Sequence, residues 1–397
     1  MEIKKLSEVT ELIKRGVTPR YVENDGITVI NQKCIRDNRI DLKLARQTSK
    51  DKKITEEKVL MEGDILINST GTGTLGRTAQ IIEVNETMTV DTHVTIVRPK
   101  KDVNHKFLGY FIRLNEPLIT SMGKGATNQI ELSSSDLGNI DITLPSRKQQ
   151  DKIVDILSAY DDLIENNLKR IELLEEVAES IYKEWFVNFK FPGYEKCEFT
   201  DEVPSKWQQV KVKELGDVIT GKTPSTKIDD YYGNEVPFIK TPDMSDSIYV
   251  VKTNQMLSEA GAKTQENKFI PKDAILVSCI GTLGVVALTK EQSQFNQQIN
   301  AIVCNKKEHI HYLYFKFKSL KEYLEALGSN GATMGNVNKN KFENIEVLKP
   351  DDKLLEKYNG FSEPIFKEIL NIQLSNEKLK EARDILLSKL IMGEIEV

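Results

Sequence analysis

At 397 residues the chain is long enough for two or three domains, each with its own core. Its composition excludes extended disorder, and a net charge of −5 excludes a protein that coats nucleic acid over its whole surface. No run approaches the ~18 apolar residues of a membrane span, the start Met1-Glu2-Ile3-Lys4-Lys5-Leu6 lacks a signal-peptide core, and scattered Cys34, Cys197, Cys279 and Cys304 fit reduced thiols in a cytoplasm.

In chain order, the first 146 residues carry a net charge of +1, residues 147–190 carry −3, residues 191–350 carry 0 and residues 351–397 carry −3. That alternation suggests a duplication, and motifs support it. Gly16-Val-Thr18-Pro19 recurs as Gly221-Lys-Thr223-Pro224, and Gly73-Thr-Leu-Gly76 as Gly281-Thr-Leu-Gly284. Gly125-Ala-Thr127 recurs as Gly331-Ala-Thr333, and Asn139-Ile140 before Pro145 as Asn344-Ile345 before Pro350. The matches keep their order at offsets between 205 and 208.

Each copy opens with a β-rich part. Residues 64–68, 78–82 and 93–97 of the first copy, and 273–278 and 299–303 of the second, read as short apolar or β-branched strands. Short helices are expected over 108–114 and 313–327. Gly71-Thr-Gly73-Thr-Leu-Gly76 matches a dinucleotide fingerprint and nearly matches a P-loop with Arg77 for lysine, but both need a helix to follow. Thr78-Ala-Gln-Ile-Ile reads as a strand, so a glycine turn between two strands is predicted. His309 and His311, two apart, would share one face of a strand as half of a metal site, although a surface or core role fits their surroundings better. No nucleophile elbow, zinc-protease helix or amino-methyltransferase motif occurs.

Each copy then turns helical. Ser146 caps a predicted short helix over 149–157, and Asp161 and Asp162 cap a longer one from Leu163. Tyr160, Ile164, Asn167, Ile171, Leu174, Ala178, Ile181 and Trp185 fall at alternating steps of four and three, the seam of a coiled coil. At ~1.5 Å per residue such a helix is roughly 40 Å long. In the second copy, Ser362, Glu363 and Pro364 open a helix. Its seam is Ile365, Ile369, Ile372, Asn376, Leu379, Ala382 or Arg383, Leu386 and Leu390. The predicted fold is α+β, with two β-rich parts each followed by a long helix, the helices pairing as an antiparallel coiled coil. The expected boundaries are 1–145, 146–190, 191–350 and 351–397. Asn167 and Asn376 in the seam fix register if buried; a wet end of the seam is the other reading.

Basic and amide side chains concentrate at Lys33, Arg36, Asn38, Arg39, Lys43, Arg46, Lys50, Lys52 and Lys53, interleaved with Asn31, Gln32 and Gln47. Lys and Arg neutralise phosphates, while Arg, Asn and Gln read base edges. The second copy carries Lys222, Thr223, Ser225, Lys227, Tyr231, Tyr232 and Lys240, then Lys263, Gln265, Asn267 and Lys268. Asn128 and Gln129, and Asn336, Asn338, Lys339, Asn340 and Lys341, follow the two Gly-Ala-Thr motifs. A solvated face explains any one lysine; the clusters together point to nucleic acid.

Tyr182-Lys-Glu-Trp185-Phe186-Val187-Asn-Phe189-Lys-Phe191-Pro192-Gly193, closing a heptad helix after a β-rich part, resembles the central region of type I restriction–modification specificity subunits. The Gly221 to Ser225 opening, with Tyr232-Gly233 downstream, is similar to the start of that family's target-recognition domains, and the stretch from Asn139 to Gln150 to the junction of domain and helix. The resemblance implies a non-catalytic DNA-binding subunit without cofactor or metal. Each β-rich part would read one half of a split, asymmetric target. The helices would fix the gap and dock methyltransferase subunits carrying S-adenosylmethionine, joined by motor–nuclease subunits that use ATP and magnesium. Half-site centres about one DNA turn, roughly 34 Å, apart suit helices of this length. A coiled-coil scaffold with two protein-binding domains, and an enzyme using the glycine turn for a nucleotide, are the competing readings.

Overall fold

The computed structural model describes residues 2–125, 130–245, 247–329 and 335–397. The fold divides the chain into two compact units, Met1–Leu163 with Leu379–Val397, and Ile164–Lys378. Each unit takes part of both long helices, Arg147–Tyr182 and Asp352–Ile391.

In the first unit an antiparallel sheet runs in the order Thr10–Arg15, Val94–Pro99, Ile65–Asn68, Thr78–Gln80. Ile65–Asn68 is buried along its whole length, which is why it reads as a continuous apolar run rather than an alternating one. A second sheet orders Met88–Val90, Ile27–Ile30, Arg46–Thr48 and Tyr21–Val22, with the first two strands parallel. The second unit repeats the frame: Gly216–Thr220, Ile299–Cys304, Ile275–Ser278 and Val286–Thr289 lie in the same order, and Gln294–Phe295 runs parallel to Tyr232–Ile239. In both units a strand that opens the repeated frame pairs antiparallel with the last strand, Glu2–Lys5 with Asp141–Leu144 and Gln208–Lys211 with Glu346–Lys349, so chain entry and exit are tied together.

The repeated glycines have a physical cause. A Cβ on Gly16 would lie 2.0 Å from the Val90 carbonyl oxygen, and one on Gly221 would lie 2.1 Å from that of Asn296. At each place two backbones approach too closely for any side chain. The glycine turn also forms as predicted: Gly71, Gly73 and Gly76, and Gly281 and Gly284, all have positive φ. They join Ile65–Asn68 to Thr78–Gln80 and Ile275–Ser278 to Val286–Thr289. No helix follows either turn, so the phosphate-cradle reading fails.

Four expectations need correction. The helices predicted over 149–157 and from Leu163 are one helix, because Asp161 is not a cap: it accepts from Tyr110 Oη and Arg383 Nη1, each at 2.6 Å. The second long helix begins at Asp352, not at Ser362, and runs through Pro364. There Asp351 caps the Leu354 amide, and buried Leu354, Leu355 and Tyr358 place the turns before the proline against the core. That packing outweighs the ~3 kcal/mol an interior proline costs. The helix predicted over 313–327 is two, Ile310–Ser319 and Lys321–Gly328. His309 and His311 sit on helical turns, not a strand. His311 stacks on Phe366 at 4.0 Å and bonds Ser362 through Nδ1 at 2.9 Å, and burial pulls its imidazole down to about 4.

The long helices run antiparallel where they meet inside each unit. In the second, Asn167 Nδ2 donates to Asn376 Oδ1 at 2.8 Å and Arg170 pairs with Glu368 at 3.0 Å. Both asparagines are buried, as are Ile164 and Ile372, with Ile171, Leu174 and Ile181 packed at the core edge. In the first, Leu157 joins Leu387, Leu390 and Ile391 in one core, Leu386 packs against it, and Tyr160 and Leu379 are half-buried. Between Ala382 and Arg383, the buried seam position is Arg383.

Candidate nucleic-acid interface

Residues 32–46 form one exposed basic lobe on the first unit. Short helical turns Gln32–Cys34 and Leu42–Leu44 lie side by side, Asn31 Nδ2 donating to the Leu44 carbonyl at 3.0 Å. Between them Ile35–Arg36 and Arg39–Ile40 make a two-residue hairpin with Asp37 and Asn38 at positive φ, the backbone such tight turns require. This arrangement puts Lys33, Arg36, Arg39 and Lys43 on solvent-facing positions. Arg46 lies over the Tyr21 ring, 3.3 Å from its centroid, and Lys50 pairs with Asp25.

Asn38 is not a free reading group. Its amide nitrogen donates to Thr78 Oγ1 at 3.2 Å and to Glu116 Oε2 at 3.3 Å, anchoring the hairpin tip to the sheet. Burial pushes the Glu116 carboxyl up. Asn128 lies outside the described residues, as do both Ala-Thr pairs of the Gly-Ala-Thr motifs.

In the second unit Lys222, Thr223, Ser225, Lys227 and Tyr231 follow one loop from Gly221 to the strand Tyr232–Ile239. The Ser258 amide donates to the Tyr231 carbonyl at 3.1 Å, which brings the helix Glu259–Lys263, and with it Lys263, beside this loop. Lys263 pairs within its helix to Glu259 at 3.7 Å, Lys240 is half-buried near the Phe238 ring, and Lys268 is half-buried. Asn338 serves as a helix cap, its Oδ1 accepting from the Lys341 amide at 2.9 Å, and Lys339 pairs with Glu343. For Asn338 the structural role accounts for the residue type.

The charge-based reading passes over a second feature. After each buried strand Met88–Val90 or Gln294–Phe295 comes a three-residue turn, residues 91–93 and 296–298. Asp91 Oδ1 accepts from the His93 amide at 2.9 Å, and Asn296 Oδ1 from the Gln298 amide at 3.1 Å. The His93 carbonyl accepts from the Ser69 amide at 2.8 Å, and the Gln298 carbonyl from the Cys279 amide at 2.7 Å. The signal available in the sequence was Asp-x-His and Asn-x-Gln at the offset of 205 that separates Gly16 from Gly221.

Among the described residues no group of three His, Cys, Asp or Glu side chains is arranged to hold a metal, and no helix is long and apolar enough to cross a membrane. The hollows on the first unit, about 280 and 410 Å³, are shallow and lined by residues such as Ser7, Glu11, Ser134, Arg15 and Glu131. They offer no enclosed small-molecule pocket.

Residues 1–176 and 204–353 match the family model described as type I restriction modification DNA specificity domain. The chain is 28% identical to the type I restriction enzyme HindI specificity subunit of Haemophilus influenzae, covering 96% of this chain and 98% of that protein. It is 27% identical to the MjaIX specificity subunit of Methanocaldococcus jannaschii, over 86% and 81% of the two chains. The crystal structure of a type I restriction–modification S subunit from M. genitalium superposes with a TM-score of 0.56 at 15% identity, covering 98% of this chain and 96% of that one.

Proposed function

The chain belongs to the family of type I restriction–modification specificity subunits, and from that membership we propose that it reads a bipartite, asymmetric DNA target with one half-site per β-rich part. The observation that carries this reading is a shared backbone frame with unlike surface residues. Both units tie the strand that opens the repeated frame to the last strand and lock Gly16 or Gly221 beneath a turn, while the basic lobe of residues 32–46 has no counterpart of equal charge in the second unit. Two copies of one scaffold with different loops suit two different half-sites.

On this reading, residues 1–145 and 191–350 are the recognition domains and residues 146–190 and 351–397 the helical spacers. The chain is non-catalytic and needs no cofactor of its own. Methyltransferase subunits carrying S-adenosylmethionine dock on the helices, motor–nuclease subunits bring ATP and magnesium, and the assembly works in the cytoplasm.

The test is the salt dependence of duplex binding by the full chain. Phosphate contacts release counterions, so affinity falls steeply with salt. Replacing Lys33, Arg36, Arg39 and Lys43 by Glu is expected to weaken binding to all duplexes and to flatten the log–log salt slope by about one for each phosphate no longer neutralised. A wild-type chain whose retention of duplex ignores salt, or a variant with an unchanged slope, would reject the assignment.

A further inference from the structure

Resting on that DNA-reading assignment, we infer that the paired turns at residues 91–93 and 296–298 are base-reading elements, with His93 and Thr92 serving one half-site and Gln297 and Gln298 the other. A side chain that discriminates bases must be held on a platform that does not yield. Asp91 and Asn296 are buried at 3% and 7% exposure, and each holds its own turn closed through the side-chain oxygen. The turn's last carbonyl is pinned to the strand end at Ser69 or Cys279. Its base lies against Gly16 or Gly221, where no Cβ fits.

From this common platform, unlike residues project. His93 and Gln297 are exposed, and Thr92 and Gln298 are half-buried. Their neighbours orient them. His93 Nδ1 lies 2.7 Å from Thr70 Oγ1, which fixes the ring and leaves Nε2 for a ligand. In the second unit Thr223 Oγ1 donates to Gln297 Oε1 at 2.5 Å, and Asn296 Nδ2 donates to Gln298 Oε1 at 3.0 Å. Both glutamine oxygens are engaged within the protein, so their amide nitrogens are the groups left to donate. In the major groove, donors meet guanine N7 and O6, adenine N7 and thymine O4, whereas cytosine offers only its amino donor and adenine adds one at N6.

A lysine lies beside each turn. Gln32, which accepts from Thr70 and Thr74, precedes exposed Lys33. The Lys222 amide donates to the Phe295 carbonyl at 3.0 Å, one residue before Asn296. A rigid turn that presents imidazole, hydroxyl and amide side chains beside a lysine is the division of labour that sequence reading needs: the cation sets position, the hydrogen-bonding side chains select the base.

The experiment is selection of bound duplexes from a randomised library by the full chain, compared with its variants. Thr92→Ala with His93→Ala should erase preference at one or two positions of one half-site only, by about tenfold or more. Gln297→Ala with Gln298→Ala should do the same in the other half, and general duplex affinity should persist in both. Gln298→Glu, which turns a donor into an acceptor, should move the affected position toward cytosine. If all variants select the wild-type sequence in both halves, the inference falls while DNA reading stands. If the wild-type chain selects no sequence, the reading beneath it falls as well.

Discussion

The two units solve the same packing problem with opposite chemistry where the long helices meet a short one, His105–Leu114 in the first unit and Ile310–Ser319 in the second. In the first, Tyr110 donates to Asp161, Arg383 bonds the same carboxylate at 2.6 Å, and Arg113 bridges toward Asp161 and Asp384. In the second, the positions 205 residues away hold Phe315, Phe366 and Ala178. The two rings meet edge to face at 5.8 Å, and Ala178 is buried in the same core. A second exchange of the same kind occurs at the sheet. Arg98 reaches Asp64 with two bonds of 2.8 and 2.7 Å, Asp64 being fully buried. The backbone pairing sets Ala274 and Val303 in those places of the second unit. One frame therefore tolerates either a paired charge or an apolar pair, but each half of the exchange makes sense only with its other half.

The largest effect should come from splitting the most buried pair. Arg98→Ala strands the Asp64 carboxylate in a buried site and should cost the first unit about 4 kcal/mol. The joint change Arg98→Val with Asp64→Ala copies the second unit and should recover most of that loss. Denaturant melts of the full chain, with hydrogen exchange separating the units, measure both. Equal losses for the single and the joint change would show that the units are not interchangeable at this point.

Asp161→Ala comes next. It leaves Arg383, 7% exposed, without its closest acceptor and should cost about 3 kcal/mol. Combining Tyr110→Phe, Asp161→Phe and Arg383→Ala, as at Phe315, Phe366 and Ala178, should bring the first unit back toward wild-type stability, read by the same exchange experiment. A triple variant less stable than Asp161→Ala would mean that the polar joint is fixed by its surroundings and not by its partners.

These exchanges also explain what could be read from the sequence. Gly16 and Gly221 were legible because close backbone approach leaves glycine no substitute, and such constraints survive when everything around them changes. The heptad seam was legible because burial on one face imposes a period. The helix starts were not. Asp161-Asp162 and Ser362-Glu363-Pro364 carry sound local start signals, yet contacts from Tyr110, Arg383 and His311, distant in sequence, decide their roles. The basic lobe was legible from charge, whereas His93, Gln297 and Gln298 are residue types common on any surface, and their meaning depends on the buried Asp91 and Asn296 beneath them.

The smallest effect concerns the turn that leads into the central strand. Gly63, at φ 88°, donates its amide to the Ile81 carbonyl, and Asp273, at φ 62°, donates to that of Thr289 in the matching position. Glycine holds the left-handed conformation freely, while aspartate carries a steric cost of about 1 kcal/mol for its Cβ. Burial also pushes the Asp273 carboxyl up, so its charged form is disfavoured where it sits. Asp273→Gly should therefore stabilise the second unit by up to about 1 kcal/mol, less the entropy that glycine adds to the unfolded chain. Because the shifted carboxyl disappears, the gain should be larger at neutral pH than at pH 4, where Asp273 carries less charge in either state. A destabilised variant, or a gain independent of pH, would mean that the aspartate side chain holds the turn through contacts that outweigh its strain.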